Sequence, residues 1–447
     1  MKNPEASVEV EVERIGSGGE GVGRLPDGRV IFIHRTAPGD LVRARPTRLA
    51  KRWARGRLES VERGGPARRT PPCPLYDRCG GCALQHLEYA GQLQAKAGLV
   101  VDALERVGGR DDVPEPELHA SPRALHYRNR VSLTLRRTHS GASSAPGLRG
   151  GSREGVVAGF HRLGEPGLVL DVDGRCLLPE APIAEVWDEI RASWGEGASL
   201  LPPGTELRLT LRGLREEGVL LLVEGGPATP DIAEGASELL ARVPRLRAVW
   251  HRPGRGDEAS LLAGDAGLEE VWYGERYTVD PGGFFQVNRY AAEELHDLTL
   301  RELGAPRGRR VVDAYCGVGV YGRRMARHGA QAIGIELHPG AVRMARERPV
   351  EGFSVLEGRV EERLSEALPA DLVVLNPPRN GVDEAAIRLL SESRPERIVY
   401  VSCDPATLAR DVRRLGTTYR ITRLQLFDLF PQTAHVETLL TLDAAAS

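Results

Sequence analysis

The sequence predicts an α/β chain: a doubly wound, Rossmann-like domain at its C-terminal end, preceded by an OB-like β-barrel and a strand-rich central domain. Three observations carry this. From about residue 271, buried strand-like runs alternate with helical stretches, the signature of a mostly parallel sheet. The first sixty or so residues hold several short alternating strands punctuated by Gly and Pro turns. At 447 residues the chain also exceeds what one core ordinarily serves. The boundaries fall at 1–62 for the barrel, 63–270 for the middle and 271–447 for the doubly wound domain.

Within the first segment, "VEVEVE" at 8–13 alternates apolar and charged residues, the period of a half-exposed strand. "GSGGEGVG" reads as a turn, and "RVIFIH" and "LVRAR" supply further strands. Small barrels of this kind often present an open face to single-stranded nucleic acid. The charge pattern agrees. Net charge is only −2, yet residues 43–69 gather ten Arg or Lys against Glu59 and Glu62. Such a stripe is the footprint of phosphate-backbone binding, so RNA or DNA is the expected partner. Apolar content of 41% with 27% charged residues describes a soluble globular protein. No apolar run reaches membrane-spanning length and "MKNPEASVEVEVER" lacks a signal peptide's hydrophobic region, so a cytoplasmic protein with no membrane partner is expected.

"GGPARRTPPCP" is a connector, after which Cys73, Cys79 and Cys82 stand in "CPLYDRCGGCALQH". An intracellular chain does not gather thiols for disulfides, so metal ligation is the better reading. Gly80 and Gly81 let the backbone turn tightly, and a fourth thiolate must come from Cys176, Cys316 or Cys403. Cys176 lies in the same strand-rich region and is chosen. Both zinc and an iron–sulfur cluster accept four thiolates, and the spacing alone leaves both open. "HLEYAGQLQAKAGLVVDALERVGG" has helical periodicity. "RVSLTLRR", "GLVLDVDG", "ELRLTLRG" and "GVLLLVEGG" read as strands, with the Gly/Ser/Ala-rich tract at 140–155 as a flexible insertion.

"RRVVDAYCGVGVYG" reads as a buried strand, a glycine loop and a helix start, in which Gly317 and Gly319 permit close backbone approach to a ligand. Glu336 ends the next strand, where a carboxylate can bond the hydroxyls of a ribose. "DLVVLNPPR" ends at Asn376, followed by prolines that hold a sharp turn at the carboxyl edge of the sheet. A nucleotide or S-adenosylmethionine (SAM) is the expected ligand. Cys403 follows the strand "RIVYVS" at the same edge, and a helix N-terminus is expected to lower its thiol pKa. A thiolate of this kind suits methylation at uracil C5, which needs attack at C6 and then a base for the C5 proton. Such a base would be a carboxylate near the nucleophile; a hairpin expected at the sheet edge puts Glu437 at the start of its last strand, where by itself it reads as a surface strand residue.

These motifs resemble the RNA uracil-5-methyltransferases, the family of the bacterial 23S rRNA and tRNA m5U enzymes, along essentially the whole chain. The resemblance rests on a TRAM-like start, "CPLYDRCGGCALQH", "YRNR" at 127–130, "FFQVN", "DAYCGVG", "GIEL", "NPPR", "SCDPATLARD" and "FPQTAHVE". It implies Cys403 as nucleophile and Glu437 as base, with Gln286, Tyr315, Glu336 and Asn376 contacting SAM. It further implies a [4Fe–4S] cluster on Cys73, Cys79, Cys82 and Cys176, and a helix at 86–109 docked on the catalytic domain. Two departures stand out: Asn376 where many members carry Asp, and Val320 where an Asn is common. Ribosomal RNA is the expected substrate, since the cysteine motif is typical of that branch, with the tRNA T-loop as the alternative. Tyr127, Arg128 and Arg130 are expected to face RNA. Two other readings compete: methylation of an exocyclic amine, prompted by N-P-P, and an idle RNA-binding factor.

Overall fold

The computed structural model describes residues 6–445 except 138–154, 216–217, 273 and 284. The glycine- and serine-rich tract therefore lies almost wholly outside the described residues. The chain forms two compact units: Met1–Thr70 with His86–Pro122 and Tyr290–Ser447, and Pro71–Gln85 with Arg123–Arg289.

In the first unit, strands Val8–Ile15, Gly21–Arg24, Val30–Ile33, Leu41–Leu49 and Trp53–Arg63 close into a barrel. Alternation builds it: Val10, Val12, Ile31, Ile33, Val42 and Ala44 point inward and form its core, while the arginines between them face outward. The run "GSGGEGVG" is thus turn and strand together. Gly21 and Gly23 sit where a Cβ would strike Thr36 and the Glu11 backbone, so the glycines serve close packing. The basic stripe falls on the strands Leu41–Leu49 and Trp53–Arg63 and the segment after them.

The same unit holds an eight-stranded sheet. Its parallel part runs Phe353–Glu357, Gln331–Glu336, Arg310–Ala314, Leu372–Leu375, Arg397–Ser402, with strand order reversing at Arg310–Ala314. The antiparallel strand Glu437–Ala444 then inserts between Arg397–Ser402 and Tyr419–Phe427. Glu117–His119 adds in parallel to Tyr419–Phe427 and forms the outer edge. The C-terminal hairpin is therefore inside the sheet, not at its edge: both neighbours of its last strand are satisfied, and Leu439, Leu440 and Leu442 are buried. Helix Tyr89–Arg106 packs on helix Pro405–Leu415, with Ala97, Val100 and Leu104 entering the same core as Val412, Leu415 and Leu426.

The second unit is built on a seven-stranded, mainly antiparallel sheet from Ser260–Gly264 to Glu165–Asp171. Val131, Leu133 and Leu135 alternate inward from strand Arg130–Arg137 onto helix Ala181–Ser193 through Ile183, Val186 and Ile190. Among the described residues no helix is long and apolar enough to cross a membrane.

Candidate active site

The chemistry-bearing residues of the first unit gather at the carboxyl edge of its parallel strands. Asp313 is the last residue but one of strand Arg310–Ala314 and is fully buried. Its Oδ2 accepts the N–H of Gly322 at 2.8 Å, tying the glycine loop to the strand. Burial, reinforced by the nearby Glu336 charge, pushes this carboxyl up to about 7. The loop that follows visits the left-handed region at Tyr315 (φ 63°), Gly317 (φ 57°) and Gly319 (φ 81°). The two glycines do different work. A Cβ on Gly317 would meet open space, so this position leaves room for a ligand to approach the backbone. A Cβ on Gly319 would lie 2.5 Å from the Phe353 ring, so Gly319 serves packing instead.

Glu336 stands at the end of the neighbouring strand. One oxygen accepts Gly317 N–H at 2.9 Å and the other accepts His338 N–H at 2.7 Å, which fixes the carboxylate across the mouth of the glycine loop. Asn376 follows the next strand, half-buried, with its N–H on Ala314 O at 3.3 Å. Tyr315 packs against the core, and burial raises its hydroxyl far above the ordinary range. Gln286 belongs to the second unit, where it is buried and its carbonyl accepts from Asn129 Nδ2 at 2.9 Å.

Cys403 and Glu437 are brought together by strand register. Ser402 pairs with Thr438 in the antiparallel ladder, and Phe427 with Glu437 on the other side. Continuing the first ladder by one residue sets Cys403 opposite Glu437, a spacing of about 5 Å between Cα atoms. Glu437 is only 3% exposed, and burial pushes its carboxyl up to about 8 against the opposing pull of the Arg379 guanidinium. Burial also raises the Cys403 thiol, to about 11, with the Glu437 charge adding to it and Arg379 opposing.

The expected depression of this thiol by a helix N-terminus is not what the fold delivers. Asp404 is the N-cap of helix Pro405–Leu415, and its Oδ1 takes the N–H groups of Ala406 (3.0 Å) and Thr407 (2.9 Å). The first free amides therefore serve a carboxylate, whose charge also raises Cys403. Arg379, exposed at the turn after Asn376-Pro377-Pro378, is the cation that both groups sense. Its turn is anchored from below: Asp411 Oδ2 accepts Val382 N–H and Tyr400 O–H at 2.8 Å each, and Arg410 donates to Asn380 O at 2.7 Å. A large open groove of about 640 Å³ lies at the opposite, amino edge of the sheet, lined by Arg310, Gln331, Phe353 and Asp371, away from all of these groups.

In the second unit Cys73, Cys79, Cys82 and Cys176 line one small pocket together with Tyr76, Phe160 and Leu177. Gly80 N–H donates to His161 O at 3.0 Å, and a Cβ there would press on that carbonyl, so the glycine permits the close turn. Burial raises the thiols of Cys82 to about 12 and Cys176 to about 11, with mutual repulsion among the sulfurs contributing and Arg128 opposing. Among the described residues no group of three or more His, Cys, Asp or Glu is arranged to hold a metal ion. Tyr127 is fully buried and its hydroxyl takes Arg128 Nε at 3.3 Å, so it packs rather than facing RNA.

Comparison with known proteins gives a consistent result. A model of the tRNA (uracil-5-)-methyltransferase family matches residues 356–445, and a TRAM domain model matches residues 6–58. An uncharacterized RNA methyltransferase of Thermosynechococcus vestitus is 36% identical over 98% of both chains. Another from Gloeobacter violaceus is 34% identical over 98% of this chain and 96% of its own. Among solved structures, the tRNA (uracil-54, C5)-methyltransferase of Pyrococcus abyssi, in complex with S-adenosyl-L-homocysteine, superposes with a TM-score of 0.71 at 25% identity, covering 97% of this chain and 100% of that one. With the barrel and the reversed-order sheet in place, these matches show that the chain belongs to the RNA uracil-5-methyltransferase family.

Proposed function

We infer that the protein methylates C5 of uridine in RNA, and that 23S rRNA is the substrate. The observation that carries the chemistry is the register that sets Cys403 opposite the buried Glu437. Uracil C5 is too weak a nucleophile to react unaided. Addition of the Cys403 sulfur, in its minor thiolate form, to C6 makes an enolate, whose electron pair at C5 takes the methyl group. Glu437 then accepts the C5 proton, the C5–C6 double bond re-forms, and the sulfur leaves. Reaching C5 and C6 requires the base to be unstacked, so a flipped uridine in a loop is the expected target.

The residues at the glycine loop fit SAM: an open backbone at Gly317, a fixed carboxylate at Glu336, and Tyr315 and Asn376 at the same edge. When bound, SAM would supply an electrophilic methyl carbon and a positive charge that favours the ionised forms of nearby acids. Arg379 favours those forms already. The barrel's arginine-bearing strands would hold phosphates, giving salt-sensitive binding.

The convergence of Cys73, Cys79, Cys82 and Cys176 on one pocket supports a [4Fe–4S] cluster, which takes one thiolate per iron around a body larger than one ion. Zinc, which also accepts four thiolates, is the competing occupant. The cluster's role would be structural or RNA-positioning. Iron and sulfide analysis after anaerobic purification separates the two.

The likeness to a tRNA enzyme supports a second substrate reading, the tRNA T-loop. One experiment tests both. Transcripts of 23S rRNA and of tRNA, containing 5-fluorouridine, are incubated with SAM. Fluorine does not leave as a proton, so a covalent protein–RNA adduct must accumulate on the true substrate and vanish in Cys403→Ala. An undiminished adduct in that variant, or methylation of an exocyclic amine with Cys403 absent, refutes the proposal.

A further inference from the structure

Glu437 opens its strand, and the nine residues before it, 428–436, form the loop that delivers it. The loop closes on itself around one carbonyl: Phe430 O accepts Thr433 N–H at 3.2 Å and Thr433 Oγ1 at 2.7 Å. Gln432 lies in the left-handed region at φ 69°, a conformation that side-chain-bearing residues adopt only under constraint.

The constraint comes from a distant part of the chain. Gln92 and Lys96 stand one turn apart on helix Tyr89–Arg106, and both are fully buried, at 0% and 1% exposure. Lys96 Nζ donates to Asp428 Oδ1 at 2.6 Å and to Phe430 O at 3.1 Å, the carbonyl around which the loop closes. Gln92 Oε1 accepts Gln432 N–H at 2.9 Å, and Gln92 Nε2 donates to Gln432 Oε1 at 3.0 Å and to Leu87 O at 3.0 Å. Every one of the loop contacts is specific in direction. A buried lysine–aspartate pair is a poor way to gain stability, since apolar side chains of the same volume would serve as well or better. What it does supply is a single allowed geometry.

We propose that Gln92 and Lys96 are positioning residues of the methyl-transfer reaction, a brace that locks loop 428–436 in the one conformation setting Glu437 opposite Cys403. The proposal rests on Glu437 acting as the base, and its test separates the two ideas. Intact protein carrying Gln92→Leu or Lys96→Met is compared with the parent and with Glu437→Gln, using SAM and RNA with ordinary uridine. Adduct formation is expected within threefold of the parent, while adduct release slows at least tenfold and KM for RNA stays within threefold. A merely structural role would depress formation and release together.

A second readout does not depend on what Glu437 does in turnover. The Glu437 charge opposes ionisation of Cys403, so displacing Glu437 should shift the pH profile of Cys403 alkylation by iodoacetamide, read by peptide mass spectrometry, toward that of Glu437→Gln. Normal release in Glu437→Gln refutes the base and leaves the alkylation profile to judge the brace. Release within threefold of the parent in the brace variants, with Glu437→Gln slow, overturns the proposal, as does an alkylation profile that superimposes on the parent's. If Lys96→Met leaves Asp428 without its cation and does not fold, Gln92→Leu, a neutral change, decides alone.

Discussion

Glu437→Gln should flatten the pH dependence of stability in the sheet that carries it. The parent carboxyl is held at about 8 in the fold against an ordinary 4.5, chiefly by burial. Because the folded value is the raised one, the stabilisation from the protonated form is complete below pH 4.5 and is lost progressively as pH rises to about 8. The slope in that window is about 1.4 kcal/mol per pH unit for one group. Between pH 6 and 8.5 the curve bends near its upper end, and the net loss is about 2 to 3 kcal/mol. Glutamine keeps the shape of the side chain and removes the titration. Hydrogen exchange of peptides spanning Arg397–Ser402 and Glu437–Ala444, corrected for intrinsic rates, reads the local sheet without contribution from the second unit. The parent's opening free energy should fall by that amount more than the variant's across the range, since Asp313 titrates in both. Parallel curves, agreeing within about 0.5 kcal/mol, would show that Glu437 ionises freely in the fold and would refute the reasoning.

Other outcomes follow from the same geometry. A thiol at about 11 rather than 9.0 carries about 100-fold less thiolate at neutral pH, so Cys403 in the free protein should alkylate about 100-fold more slowly than an ordinary exposed cysteine, by peptide mass spectrometry. Gly319→Ala should lower the melting temperature sharply, costing roughly 2 kcal/mol or more from strain and the Phe353 clash. Gly317→Ala should cost about 1 kcal/mol, and its larger effect should be weaker SAM binding in calorimetry. Asp411→Ala should destabilise by roughly 3 kcal/mol in thermal unfolding, since it strips the buried Tyr400 O–H and Val382 N–H of their acceptor.

The parts of this molecule that were legible in the sequence are those where a local pattern has one physical solution. A buried run followed by glycines and, about twenty residues on, a carboxylate at a strand end reads as a ligand loop, and Gly317 and Glu336 are indeed joined by a hydrogen bond. The pairing of Cys403 with Glu437 was implied by the family resemblance rather than by any local pattern, and the ladder carries it because both sit at the same end of neighbouring strands. What stayed hidden depends on long-range packing. Strand Gly21–Arg24 is written in glycines, which carry no periodicity. Glu437 looks exposed until its strand is inserted between Arg397–Ser402 and Tyr419–Phe427. The helix-start argument for Cys403 failed because Asp404 takes the amides first. Asp313 and Arg379 drew no attention as charged members of the site, since neither a strand-end acid nor an arginine in a turn is unusual on its own.

The insertion of Glu437–Ala444 between two earlier strands bears on how the molecule is made. During synthesis the chain emits Cys403 and the strand before it well before the segment that completes the ladder, so Arg397–Ser402 waits with one open side. Closure demands partners drawn from distant points in the polymer, a topology that folds slowly. A ribosome-bound fragment therefore holds a sulfur with no carboxylate opposite it. The Glu437 carboxyl comes opposite that sulfur only when the last strand zips into the ladder, so under the proposed chemistry completion of turnover waits for the finished sheet.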